Sequence, residues 1–411
     1  MKTGDYIQIK TSKEIFKGIL MPDSIKNKLV LKLDSGYNIG IEKKTIKQKK
    51  LIKKATKTKT KQKKLKQNSK LKKILILHTG GTIASKVDYE TGGVIAKFTP
   101  EEILNLYPEL KSIANIQTKQ VSNIFSEDIT FKDYNILARE IKKAKGVEGI
   151  IITHGTDTMH YTSAALSFML DDLPIPILLV GSQRSSDRGS SDSAINLICA
   201  ANFIIKSDFA GVALCMHSSM DDESCYILPG LKVKKLHSSR RDAFQPINTK
   251  PIASINTKGK IKYLIKNYAR KDKKTIKASY FNEKLKIGFL KSHPNMHYSE
   301  IPKKLDGIII EGTGLGHLPI NSNVKLLSEL KKLKIPVIMC TQTIFGRVNM
   351  NVYTTGRKLQ DYVMSGSDMT PETAFIKLAW LLSNKKDPKL MLSNLKGEIN
   401  ERISNEFLQI Y

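Results

Sequence analysis

The sequence predicts an α/β protein of two lobes built on parallel sheets, preceded by a small all-β barrel of SH3 or Sm-like size. Three observations carry this. A chain of 411 residues is too long for one hydrophobic core, because cores stop growing at about 250–300 residues, so at least two packed domains are required. From residue 74 onward, short continuous apolar runs (KILILHTGG, GIIITHGTDT, PILLVGSQRS, GVALCMHSS) alternate with helical stretches, the pattern of strands buried on both faces. Before residue 43 the pattern is different: YIQIK, IFKGIL, LVLKL and YNIGI are short alternating runs separated by the turn signals MPDSIKN and LDSG.

Taken in order, residues 1–42 form the β module. Residues 43–73 hold 16 lysines and no acid, with few large apolar groups to bury, so they read as an extended linker. The same block is also the electrostatic footprint of a polyanion tether, since clustered lysines displace counterions from phosphates without reading sequence. Residues 1–73 carry 23 lysines against five acids, a net of +18 out of +30 for the whole chain. Residues 74–265 form the first lobe, with helices over 131–145 and 160–170. A second Lys-rich linker follows at 266–284, and residues 285–411 form the second lobe on the runs LKIGFLKSH, GIIIEGTGLG and PVIMCTQT. No repeat of 20–50 residues points to a solenoid.

Cys199, Cys215, Cys225 and Cys340 make no C-x-x-C pair and lie mostly in apolar runs, which predicts buried reduced thiols rather than a disulfide scaffold. No apolar stretch approaches the roughly 18 residues of a membrane helix, and MKTGDYIQIK lacks the apolar segment of a signal peptide. The expectation is a soluble, cytoplasmic protein without membrane contact.

In an open α/β sheet the chemistry lies where the strands end, and here they end on glycine and threonine. His78-Thr79-Gly80-Gly81-Thr82 places two glycines in a tight turn and Thr82 at the rim; neither phosphate-loop fingerprint is present, and no ATP-binding loop is found elsewhere. His154-Gly155-Thr156-Asp157-Thr158 offers a second hydroxyl with a carboxylate beside it, suited to a cation or a substrate ammonium. A hydroxyl nucleophile needs a base, for which histidine and lysine are candidates; Lys235, in KLHSSRRDAF, is one lysine among many. His293 and His297 are separated by a proline, which argues against a zinc-binding helix face, and no metal is expected. Ser186 to Leu197 reads as a capping segment leading into a helix.

Together, TGGTIAS, HGTDT and KLHSSRRDAF in this order on two α/β lobes resemble the bacterial-type L-asparaginase/glutaminase family, over about residues 74–411. With its β module ahead of the amidase lobes, the whole chain resembles the amidase subunits of archaeal tRNA-dependent amidotransferases. The resemblance implies an asparaginase-like two-lobed fold and the hydrolysis of a side-chain carboxamide. It implies that Thr82 is the nucleophile, that Thr156, Asp157 and Lys235 activate a hydroxyl, and that Asp157 also meets the α-ammonium of the substrate. The choice between Thr82 and Thr156 for the acyl-enzyme stays open. Tyr89 matches a mobile-loop tyrosine beside the nucleophile, and Ser126 and Glu127 match the pair holding the α-carboxylate and α-ammonium; the other reading of that pair is a surface loop with a helix N-cap at Ser126. Gly81 contributes to substrate binding, with backbone N–H groups of the Gly81 to Thr82 turn as oxyanion donors.

By the same resemblance the substrate is glutamine or asparagine, and ammonia passes to a partner, the amidotransferase E subunit, which uses ATP and Mg to convert Glu-tRNA(Gln) to Gln-tRNA(Gln). This chain needs no cofactor of its own and forms a homodimer within a heterotetramer. The alternatives are a free-standing cytosolic L-asparaginase and an RNA-binding protein on an asparaginase scaffold.

Overall fold

The computed structural model describes residues 1–22, 26–35, 37–54, 67–81, 83, 85–87, 94–96, 100–184 and 190–403. At the N-terminus five antiparallel strands pair in the spatial order Asn38–Glu42, Lys28–Leu33, Ile15–Leu20, Tyr6–Thr11, Ile46–Lys53. Alternation along Tyr6–Thr11 sends Ile7 and Ile9 inward, where they make a small core with Leu29, Leu31 and Ile41; the strand Lys28–Leu33 is buried on both faces, at Val30 and Lys32 as well.

The strand Ile46–Lys53 corrects the reading of residues 43–73 as linker. It pairs along Tyr6–Thr11, with Leu51 opposite Ile7 and Lys49 opposite Ile9. Strand pairing uses backbone groups, so the lysines take part while their ammonium heads stay in water, and Ile46 and Leu51 pack against the core. Residues 55–66 of that segment lie outside the described residues.

The first lobe is built on eight strands in the order Ile261–Tyr263, Ala253–Asn256, Ser224–Pro229, Gly211–His217, Pro176–Val180, Gly149–Thr153, Lys73–His78, Asn115–Gln120. The last five are mutually parallel and the first three antiparallel, so the sheet is mixed where a purely parallel one is expected. The cause is the short link from Gly211–His217 to Ser224–Pro229, which leaves no room for the crossover a parallel pair needs. Helices Phe131–Lys143 and Met159–Met169 cover one face, against Leu77, Ile150, Ile152 and Leu179, while Ser193–Lys206 covers the other, against Ile76, Ile151 and Val180.

Four parallel strands, Ile287–Lys291, Gly307–Gly312, Val337–Thr341 and Met364–Ser365, carry the second lobe. Its helix Pro371–Ser383 packs on Met159–Met169 of the first, with Phe168 and Trp380 stacked at 5.7 Å, so one core runs through both. Residues 266–284, read as a linker, are instead a packed strap. Lys277–Ala278 pairs with Leu170–Asp171, Ile276 and Phe281 are buried, and Phe281 stacks on Phe131 at 4.8 Å. The apolar residues that anchor it are interleaved with lysines, which masks them in composition. All four cysteines are buried free thiols. His297 caps the turn Tyr298–Glu300, and His293 pairs with Glu300 at 2.7 Å. Among the described residues no helix is long and apolar enough to cross a membrane.

Candidate active site

The strands Lys73–His78 and Gly149–Thr153 are in register, with His78 opposite Thr153, so the HTGG and HGTDT loops leave the sheet side by side. Thr79 fastens the first loop: its N–H and its hydroxyl both donate to the Thr153 carbonyl, at 3.2 and 2.9 Å. Gly80 and Gly81 then turn with φ of +120° and +83°. A Cβ on Gly80 would lie 2.3 Å from the Ile124 carbonyl oxygen, and one on Gly81 2.6 Å from the Gly155 nitrogen, so both the conformation and the close approach require glycine.

Gly155 in turn lies against Ser126, whose side chain a Cβ there would meet at 2.8 Å, and the Thr158 hydroxyl donates to the Ser126 carbonyl at 2.6 Å. Ser126 is therefore buried in a wall between two loops. The N-cap of the following helix is Thr130, in a reciprocal capping box with Asp133, so the alternative of an N-cap at Ser126 does not hold.

These loops enclose a cleft of about 480 Å³ lined by Gly81, Ser126, Glu127, Thr156, Asp157 and Lys235, with Ser182, Gln183 and Ser238 beside them. Lys235 ends the short strand Val233–Lys235. Successive residues of a strand face opposite ways: Lys234 turns to Glu372 at 2.5 Å, while Lys235 donates to Thr156 Oγ1 and to Asp157 Oδ1, both at 2.8 Å. The Lys235 side chain is 9% exposed and that of Asp157 66%, so the lysine is sheltered and the carboxylate opens to the cleft. A hydroxyl, an amine and a carboxylate in one hydrogen-bonded chain can move a proton to or from the threonine oxygen and still present a negative charge to a cationic substrate. Among the described residues no group of three or more His, Cys, Asp or Glu is arranged to hold a metal.

Of the residues singled out in the sequence, Thr156, Asp157 and Lys235 meet directly, and Gly81, Ser126 and Glu127 share their cleft. Thr82 and Tyr89 lie outside the described residues. Ser182, Gln183 and Ser238 are lining residues that the sequence reading does not single out. Ser182 and Gln183 follow the strand Pro176–Val180 and obey the same strand-end rule that marks the other two loops.

His154 supports the second loop from beneath. Its Nδ1 is 2.6 Å from the Gly155 carbonyl, which only accepts, so Nδ1 carries the proton and Nε2 accepts from the Thr162 hydroxyl at 2.8 Å. Burial lowers His154 to about 4 and does the same to His78 and His160. Between about pH 6.5 and 4 the unfolded chain therefore binds protons that the folded one excludes. Stability from these groups is complete above that window and falls as the pH drops through it, by about 1.4 kcal/mol per pH unit per histidine. Urea midpoints measured from pH 7 to 4 should decline steeply, and His154→Gln should lessen the slope. A flat profile would mean that the histidines are solvated.

Comparison with known proteins agrees with this architecture. Residues 73–268 match the family described as asparaginase, N-terminal, residues 286–392 the glutaminase/asparaginase C-terminal domain, and residues 1–52 the GatD N-terminal domain. The chain is 44% identical over 421 residues to the glutamyl-tRNA(Gln) amidotransferase D subunit of Methanococcus maripaludis, covering 99% of this chain and 100% of that protein. The chain belongs to the glutamyl-tRNA(Gln) amidotransferase D subunit family. A second member, from Pyrococcus furiosus, is 45% identical over 97% of this chain and 95% of its own. Among solved structures, the thermostable L-asparaginase from Thermococcus kodakarensis superposes with a TM-score of 0.69 at 32% identity, covering 80% of this chain and 100% of its own. L-asparaginase I from Vibrio cholerae gives 0.68 at 28%, over 80% and 99%. The family thus adds an N-terminal module to an asparaginase body, and the matched module reaches residue 52, in keeping with the fifth strand.

Proposed function

We propose that this chain is the glutaminase subunit of a tRNA-dependent amidotransferase, hydrolysing glutamine and passing the ammonia to a partner, the E subunit, that converts Glu-tRNA(Gln) to Gln-tRNA(Gln). The observation that carries the chemistry is the contact of Lys235 with Thr156 and Asp157 at 2.8 Å each. In this reading the Thr82 hydroxyl attacks the carboxamide carbon, and its proton leaves along the Thr156–Lys235 pair. The tetrahedral intermediate expels its nitrogen as ammonia on receiving a proton back, and water then cleaves the threonyl ester to release glutamate. Asp157, open to the cleft, meets the substrate α-ammonium, and Ser126 and Glu127, which line the same cleft, hold the amino-acid head group.

No step needs a cofactor in this chain; ATP and Mg belong to the partner, which activates the tRNA-bound carboxylate. A homodimer of this chain bound to two copies of the partner gives a closed heterotetramer. Ammonia release from Gln and from Asn, each with and without the partner, ATP and Glu-tRNA(Gln), tests the reading. Gln hydrolysis should rise when the partner and its substrates are supplied. Equal Asn turnover, indifferent to the partner, would favour a free-standing asparaginase instead.

A further inference from the structure

The N-terminal sheet has a second face that the amidase chemistry does not use. Ile7 and Ile9 point into its core, so Tyr6, Gln8 and Lys10 point out. The register places Lys17 directly opposite Gln8 on one neighbouring strand and Lys50 opposite it on the other, while Lys53 lies beside Tyr6. Directly opposed residues stand about 5 Å apart, so Lys17 and Lys50 flank Gln8 at roughly 10 Å from each other.

Lys10, Lys17, Lys50 and Lys53 are all exposed, and among the described residues none of them pairs with a carboxylate. The acids nearby are otherwise placed: Asp34 accepts from the Tyr6 hydroxyl at 2.7 Å, and Glu14 sits in the turn beyond Lys10. A merely solvated face mixes both signs, since unopposed lysines repel one another. Lysine is also a common guard on an edge strand against sheet-to-sheet association, and that accounts for Lys50 and Lys53 on the edge strand Ile46–Lys53. It does not account for Lys10 and Lys17, which lie on interior strands of the sheet.

We infer that this outer face of the N-terminal sheet is a phosphate-backbone contact surface for RNA, engaged by Lys10, Lys17, Lys50 and Lys53. A row of ammonium groups across three strands, with the polar Gln8 and Tyr6 among them, binds a polyanion by counterion release and reads no base sequence. The choice of RNA as the polyanion rests on the amidotransferase reading above. The face gives this chain its own hold on the tRNA that the partner subunit amidates.

The test uses the full chain without its partner and a folded tRNA transcript, with affinity measured by fluorescence anisotropy from roughly 50 to 200 mM salt. The variant K10Q/K17Q/K50Q/K53Q should bind roughly 10-fold or more weakly, and its double-logarithmic salt slope should be shallower by about 3. The matched variant K303Q/K304Q/K331Q/K332Q, at exposed lysines of the second lobe, should behave as wild type, and K10R/K17R/K50R/K53R should keep the slope. Equal slopes for the two Gln variants would overturn the inference. So would wild-type binding to anionic lipid vesicles as tight as binding to the transcript. Thermal unfolding checks that each variant folds, and ammonia release from Gln is scored separately, so failure of the RNA surface and failure of the amidase reading are distinguishable.

Discussion

Thr82→Ala should abolish Gln-dependent formation of Gln-tRNA(Gln) by the assembled amidotransferase while leaving ammonium-dependent formation unchanged. In the sequence Thr82 comes directly after Gly81, which lines the cleft beyond the end of the Lys73–His78 strand. The nitrogen that reaches the tRNA comes from the glutamine side chain only if its carboxamide bond is broken here, and that requires an acyl acceptor. In the mechanism proposed above Thr82 supplies that acceptor, so its loss should leave no ester and release no ammonia, and Gln-dependent product should fall by at least ~10²-fold. Ammonium salt at high concentration bypasses this chain and reaches the partner as the small fraction of free ammonia present near neutral pH. The two nitrogen sources therefore separate the amidase step from the transamidation step in one assay. A Thr82 variant that still used Gln would remove Thr82 as the nucleophile and leave Thr156 as the acyl acceptor, and loss of both activities would point instead to a disrupted complex.

The two halves of the site differ in how far the sequence reveals them. His78 to Gly81 and His154 to Asp157 stand out locally, because each follows a continuous apolar run and each contains glycine, at a sharp turn in the first and against Ser126 in the second; strands in register then bring them together. Lys235 has no such mark. Its spacing from Asp157 does not say that the strand Val233–Lys235 runs back to the cleft, and it is identified through the resemblance of KLHSSRRDAF rather than from the spacing of the residues. Within the fold, charge density conceals packing. The strand Ile46–Lys53 and the strap around Lys277–Ala278 are held by backbone pairing and a few apolar anchors, Leu51 in one and Phe281 in the other, which a composition average dilutes. The mixed sheet escapes sequence reading for another reason. Strand direction is set by the length of the connection, and the run ending at His217 and the one beginning at Ser224 carry no hairpin signal that marks them as antiparallel neighbours.

Lys235→Ala should lower glutaminase turnover by at least ~10²-fold, and Thr156→Ala and Asp157→Ala should each do the same, the scale of a lost acid–base group. The three act through one hydrogen-bonded chain, with Lys235 Nζ donating to Thr156 Oγ1 and Asp157 Oδ1 at 2.8 Å, so the double variant Thr156→Ala/Lys235→Ala should be little worse than either single one. Two conservative substitutions divide the roles. Lys235→Arg keeps a positive charge beside Thr156, but a guanidinium does not give up its proton. If the lysine moves a proton, the Arg variant should be as slow as the Ala variant; if its charge alone mattered, Arg would restore turnover. Asp157 is the exposed member, so if it meets the α-ammonium as proposed, Asp157→Asn should raise KM for glutamine as well as lower kcat. A deaminated analogue, lacking the α-amino group, should bind the wild type and the Asn variant equally. Near-normal turnover in Lys235→Ala would remove the lysine from the mechanism and leave Thr156 without the only amine that the structure brings against its oxygen among the described residues.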